Sequence, residues 1–549
     1  MRIAHPCVML LVLVLTACGG GGDAVAPGSG GDSDSGGAAV EVSTTEAFRL
    51  LNQATFGATE AEVARVRQLG IEGWIDDQLQ QPGSRQLPHL RSIDDDRDSP
   101  ELQRDRVDIW YRNVLHGRDQ LRQRVAFALS QIMVVSQQGV LINGVYALAD
   151  YYDMLVENAF GNYRDLIEDV TLHPAMGVYL SMLGNEKPDP ERNIRPDENY
   201  ARELMQLFSI GLVELNRDGS VKRDADGLPL PTYDQSIIEG FSHVYTGWNW
   251  AGAPSFRSAR PTGENQVQPM QLYPEFHDNG SKKLLNGVVL PPGQSGLADL
   301  AAALDNVFNH PNVGPFMAIR LIQRLVTSNP SPDYIQRVAS VFDNDGTGVR
   351  GNLGAVVKAI LMDPEARPDN PSATTGKLKE PILRITQLWR AYDARSNSGR
   401  YPLVESFLLF GQGPLQAPSV FNFFSPFYAP AGEIRDAGLV APELQIATEY
   451  QNTLFTNILL LQSFTANHAS EGLRPDDVYI DIAEETALAT DIDALIGRVS
   501  AKLLGGDISE PLRAELIRML ELLPPEPAVL RAAEAVYLVA GSPEYAYQR

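Results

Sequence analysis

Histidine next to carboxylate is the chemistry this chain offers most openly. His277-Asp278 stand together in a stretch rich in Pro, Gly and Asn, while Glu239 and His243 lie four apart in a helical pattern. That spacing puts both side chains on one helix face. His173 precedes Pro174 where two helical patterns meet. Imidazole with carboxylate suits a general acid–base pair or a divalent metal. His173, Glu239 and His243 are therefore the candidate metal ligands, with a divalent cation as the candidate cofactor. A second group, Asn199, Arg202, Glu203 and Gln206, is spaced by three, one and three and forms one stripe on a helix. Asn is a poor choice to head a merely solvated stripe. Glu203 becomes the candidate acid or base, with His277 and Asp278 as its partners or as metal ligands. Arg202 and Lys282 can clamp an anion, and Asn199 and Trp248 can contact a substrate. A plainer reading stands beside each: a water-facing stripe, and a half-buried histidine paired with Glu239.

Other signatures carry less. The chain has no G-x-S-x-G elbow, no phosphate-binding G-x-x-x-x-G-K and no H-E-x-x-H. Gly346, Gly348 and Gly351 spell G-x-G-x-x-G, but they follow a helical pattern rather than a strand, and Asp343 to Asp345 lack the calcium-loop alternation. These residues read as a capped turn between helices. Phe421, Phe423, Phe424, Phe427 and Tyr428, with Trp248 and Trp250, could stack on sugar rings or pack a core. Sugar platforms favour Trp and Tyr for their polar handle, so the phenylalanines read as packing.

The element that must position the stripe is Pro196 to Leu212, PDENYARELMQLFSIGL. Asp197 can cap a helix there and Gly211 can end it, with Tyr200, Ala201, Leu204, Met205, Leu207 and Phe208 as the apolar face. Most of the remaining chain also repeats apolar residues at three-four spacing, which predicts helices over 44–54, 59–69, 72–80, 100–115, 118–137, 145–158 and 161–172, and many more from 234 onward. Residues 213–233 change character. Asp218-Gly219 and Asp226-Gly227 are turn pairs between alternating apolar residues, which predicts a small β-hairpin. Two long irregular stretches, 251–294 and 411–432, interrupt the helices. The expected fold is mainly α: a large multi-helix domain with a small β-hairpin insertion and two long irregular loops.

Three motifs carry a resemblance. "ENYARELMQLFSIGL", "EGFSHVYTGW" at 239–248 and "HDNGSK" at 277–282 are similar to elements of the bacterial domain of unknown function 1800 family. Further likeness runs from "LLNQATFGAT" (50–59) to "AGSPEY" (540–545). The family element A-R-x-x-T-G-W carries arginine where this chain has His243, so the resemblance ranks His277, Asp278 and Lys282 above His243. It also implies a secreted sulfatase-like protein as a partner, because members are often encoded beside one. It implies no activity.

The N-terminus reads as an export signal, residues 1–17, followed by a lipoprotein box ending at Cys18. Gly19 after that cysteine resembles an outer-membrane rather than an inner-membrane address, so Cys18 is the expected lipidation site. Residues 18–43 form a Gly, Ser and Asp tether, and 44–549 the folded domain, with a subdivision near 295 as one expectation. Cys7 lies in the signal, so the mature chain can form no internal disulfide. A formal charge of −24 argues against nucleic acid and anionic lipid surfaces as partners. It leaves neutral glycans open. The functional expectation is an acid–base or metal-assisted hydrolase of an envelope or extracellular polymer such as a polysaccharide. The alternative is a non-catalytic envelope binding or assembly protein.

Overall fold

Short polar side chains write many of the helix starts. Ser43 accepts a hydrogen bond from the Glu46 amide while Glu46 reaches back to the Ser43 amide, and the first helix runs Thr44–Ala54 as its periodicity predicts. Thr59, Asn162, Asp234, Ser295, Ser331, Asn352, Asp491 and Ser509 cap later helices in the same way. The computed structural model describes residues 41–93, 99–369, 371–372, 374–403, 406–465 and 472–549. The export signal, Cys18 and nearly all of the tether lie outside the described residues. Helix dominates at 54 %, and the named strands form only two-stranded pairs, so the fold is mainly α.

Two predicted boundaries moved for visible reasons. The helices expected over 59–69 and 72–80 join as Glu60–Leu79, kinked where Gly70 takes φ 75°. The helix expected over 118–137 ends at Ser130, and residues 131–136 continue as buried turns. The central helix is short, Asn199–Glu203, and widens into a π turn over Leu204–Ser209. The Ser209 hydroxyl donates to the Leu204 carbonyl at 2.5 Å inside that turn, and Gly211 stops it at φ 74°.

The expected hairpin is a three-limbed ribbon rather than a ladder. Its bridges pair Val213 with Pro231, Leu215 with Val221 and Arg223 with Pro229. The backbones of Glu214, Lys222 and Leu230 bond one another in a closed ring of three. True strand pairs occur elsewhere: Trp248–Asn249 with Gln271–Leu272, Lys282–Lys283 with Val289–Leu290, and Lys377–Leu378 with Tyr547–Gln548. The last pair closes tightly. A Cβ on Gly376 would lie 2.0 Å from the Gln548 carbonyl, and the Gln548 amide caps the Leu325 carbonyl at 2.7 Å, 223 residues away in sequence.

Residues Val42–Arg549 form one unit. Its main core is continuous from Ala47 to Tyr545 and passes residue 295 without a break. The loop 411–432 splits between inside and outside: Phe424 is 1 % exposed but Phe421 is 59 % and Phe427 68 %.

Candidate functional site

The three motif elements meet at the helix Gln235–Val244. Gly240 lets that helix press onto the strand Lys282–Lys283, since a Cβ there would stand 1.9 Å from the Lys283 carbonyl. Gly247, at φ 84°, lets the histidine loop close in turn, since a Cβ there would meet the His277 amide at 2.8 Å. Both glycines are needed because another backbone occupies the space of a side chain.

Closure buries His277 and Lys282 together, each 1 % exposed. One ring nitrogen of His277 faces the Thr246 carbonyl at 2.9 Å and the other lies 3.0 Å from Asp299 Oδ2. Lys282 Nζ reaches the same carboxylate oxygen at 2.7 Å and donates to the Asp278 and Gly280 carbonyls at 2.6 and 3.0 Å. Gln294 donates to the remaining Asp299 oxygen at 2.7 Å. Burial pushes the Asp299 carboxyl up, but the hydrogen bonds from Lys282, His277 and Gln294 outweigh it and hold it below the usual range. His277 has both nitrogens engaged and almost no surface. Its geometry is that of a clamp fixing the loop to the helix Gly296–Phe308.

Asp278 is arranged differently. Its side chain hydrogen-bonds His243 Nδ1, and the two side chains are 17 % and 31 % exposed. The His243 bond holds the Asp278 carboxyl down at about 2. No described residue partners the other ring nitrogen of His243, so this pair, and not His277, presents an imidazole to the surface. Glu239 is exposed and does not reach His243. His173 caps the helix Pro174–Tyr179 by accepting from the Ala175 amide at 3.1 Å, with Asp150 at 3.3 Å from its other nitrogen. Among the described residues no group of three His, Cys, Asp or Glu is placed to hold a metal ion.

The central stripe divides. Asn199 is exposed, and Arg202 turns outward to Glu198 at 3.1 Å. Glu203 turns inward, 6 % exposed, and its Oε2 has no hydrogen-bond partner. The Tyr233 hydroxyl is likewise buried and unpartnered. Burial pushes the Glu203 carboxyl above the usual range, with Arg202 opposing. The same carboxylate helps burial raise the Tyr233 phenol, which brings the two groups into one electrostatic neighbourhood. Trp248 is 2 % exposed and belongs to the core, with no face free for a substrate.

Sequence reading missed a cavity of about 410 Å³ at the far end of the π turn. Leu207, Ile210 and Leu212 form one wall, Val213 and Val221 of the ribbon a second, and Phe421 and Phe427 a rim. Ile319, Arg320 and Arg324 of the helix Val313–Leu325 lie across from them, with Asn422 and Gln131 deeper in. Its size and apolar lining fall in the range of small-ligand sites. A sequence signal existed: two arginines one turn apart in the run AIRLIQRL, whose other residues, Gln323 aside, are apolar.

A helical domain threaded by three glycine-fitted motifs, with one apolar cavity beside its central π turn, is the class defined so far. The chain belongs to the family described as Protein of unknown function (DUF1800), which it matches over residues 49–547. No curated protein and no solved structure matches it.

Proposed function

We propose that the protein is a ligand-binding protein of the cell envelope, exported, tethered through a lipid on Cys18, and holding an apolar ligand in the cavity beside the π turn. The cavity itself carries this reading: an apolar-walled space of about 410 Å³ at the junction of three elements whose packing elsewhere is tight. The π turn supports it, since widened helical turns recur at functional sites. A secreted sulfatase-like partner is compatible with such a role.

The test is direct. An uncharged apolar dye, N-phenyl-1-naphthylamine, should bind wild type saturably with roughly one site in the micromolar range. Ile319→Trp fills the cavity and should weaken that binding at least about tenfold while leaving the far-ultraviolet circular dichroism unchanged. Absence of saturable binding, or equal binding by Ile319→Trp, would remove the reading.

A second reading rests on Glu203: acid–base hydrolysis of an envelope or extracellular polymer such as a polysaccharide. A buried carboxyl held above its usual range beside an unpartnered phenol is suited to donating a proton. On this reading the half-buried His243–Asp278 pair would supply a base, and Asn199 and Arg202 would face the substrate.

A further inference from the structure

Arg320 and Arg324 sit one turn apart on the helix Val313–Leu325 and share its cavity-facing side. Arg320 is held between two rings, 4.9 Å from the centroid of Phe316 and 4.6 Å from that of Phe427. Its polar contact is Gln323 Oε1 at 3.4 Å. Arg324, 5 % exposed, lies 4.5 Å from the centroid of Phe424. Among the described residues neither guanidinium has a carboxylate within 4 Å. Some arginines of this acidic chain have such partners, Arg164 with Asp305 at 2.6 Å and Arg337 with Asp363 at 2.7 Å. Buried or half-buried ones without them donate to oxygens instead, Arg106 to Gln137 Oε1, Arg124 to the Arg324 carbonyl and Arg390 to the Leu115 carbonyl. Glu380 and Glu443 make their close contacts with Lys377, at 3.6 and 2.9 Å, and reach Arg324 only at longer range.

Two like charges one turn apart, Arg320 half-buried and Arg324 buried, are costly where Glu380 and Glu443 act on Arg324 only from beyond 4 Å. Burial and the neighbouring Arg324 push Arg320 down to about 9. Asn422, 7 % exposed, lines the same cavity; its amide nitrogen lies 3.3 Å from Gln131 Oε1, and its own Oδ1 is buried without a partner. The cavity therefore has apolar walls and one charged, under-satisfied side. Planar guanidiniums stacked on rings are fixed in orientation and present paired donors, the geometry that matches a carboxylate.

We infer that the ligand of this cavity is an amphipathic carboxylate, an acyl or aryl body against Leu207, Ile210 and Val221 with its carboxylate on Arg320 and Arg324. This rests on the ligand-binding reading above and adds the charge of the ligand to it.

Displacement of N-phenyl-1-naphthylamine by dodecanoate and by 1-dodecanol separates the two claims, because the tails are identical. Wild type should prefer dodecanoate at least about tenfold, and the preference should shrink in high salt. Arg320→Gln should bring the two ligands within about threefold of each other by weakening dodecanoate alone, and Arg320→Lys should fall between. Unchanged dodecanol affinity shows that each variant is folded. Equal affinities in wild type, or a preference that survives Arg320→Gln, overturn the carboxylate inference and leave the cavity reading standing. Failure of both ligands and of the dye overturns both.

Discussion

Glu203 and His277 show what residue types reveal and what they conceal. Both were legible as polar residues in motifs, and both are buried, yet their surroundings differ. His277 meets a carboxylate and a carbonyl, whereas Glu203 Oε2 meets no partner. Sequence could not separate them because Asp299, the residue that absorbs His277 and Lys282, lies 22 positions beyond His277 on the helix Gly296–Phe308. The ranking of His243 below His277 followed the family motif, and it was blind to which imidazole keeps a surface. Glu203 yields a signed prediction. Its folded carboxyl lies above the unfolded value of about 4.3, so the folded state binds the extra proton more tightly. Stability should therefore fall as pH rises from that value through the raised one, and stay lower above it. Glu203→Gln cannot lose a proton, so at pH 8 it should melt at or above wild type, by up to about 1 kcal/mol. At pH 4 the difference should vanish. Thermal melts at the two pH values decide it, and a variant clearly less stable at pH 8 would mean that the ionised carboxylate has a cation partner.

At the scale of elements, periodicity did well where a helix packs one face and poorly where the chain turns inside the core. Thr44–Ala54 appears as expected, whereas residues 132–135, apolar and buried, gave the same pattern without being helical. The π turn was invisible because its apolar residues keep nearly helical spacing. The ribbon's turn pairs were plain, but its closed ring of three limbs depends on backbone bonds that side chains do not encode. Glycine gives the sharpest test of how the motif elements fit. Gly497 sits in an exposed helix interior with nothing within 4 Å of an added Cβ. Gly497→Ala should stabilise by about 0.5–1 kcal/mol through helix propensity. Gly240→Ala, also within a helix, would drive a Cβ into the Lys283 carbonyl and should destabilise by about 3 kcal/mol. Urea titration of the two variants measures both, and a Gly240→Ala protein as stable as wild type would show that the helix and strand are not pressed together.

For the whole molecule, periodicity named the class, mainly α, and composition its acidic balance. The cavity escaped, since its walls come from residues 207–221, 316–324 and 420–427, which only folding brings together. No helix among the described residues is long and apolar enough to cross a membrane. On the reading proposed here the lipid on Cys18 is the anchor. Cys18→Ala should then move the protein from the membrane to the soluble fraction on fractionation, and wild type found soluble and without lipid would rule the anchor out. The pairing of Lys377–Leu378 with Tyr547–Gln548 bears on the order of events during synthesis. The helix carrying Arg320 and Arg324 leaves the ribosome 223 residues before the amide that caps its Leu325 carbonyl. Until then the Leu325 carbonyl lacks that amide, and the strand pair beside it cannot form. On the exported reading, a chain whose last strand pair forms only at the end of synthesis would meet a translocation pore with that seam still open, and one broken off early would leave the seam to proteases.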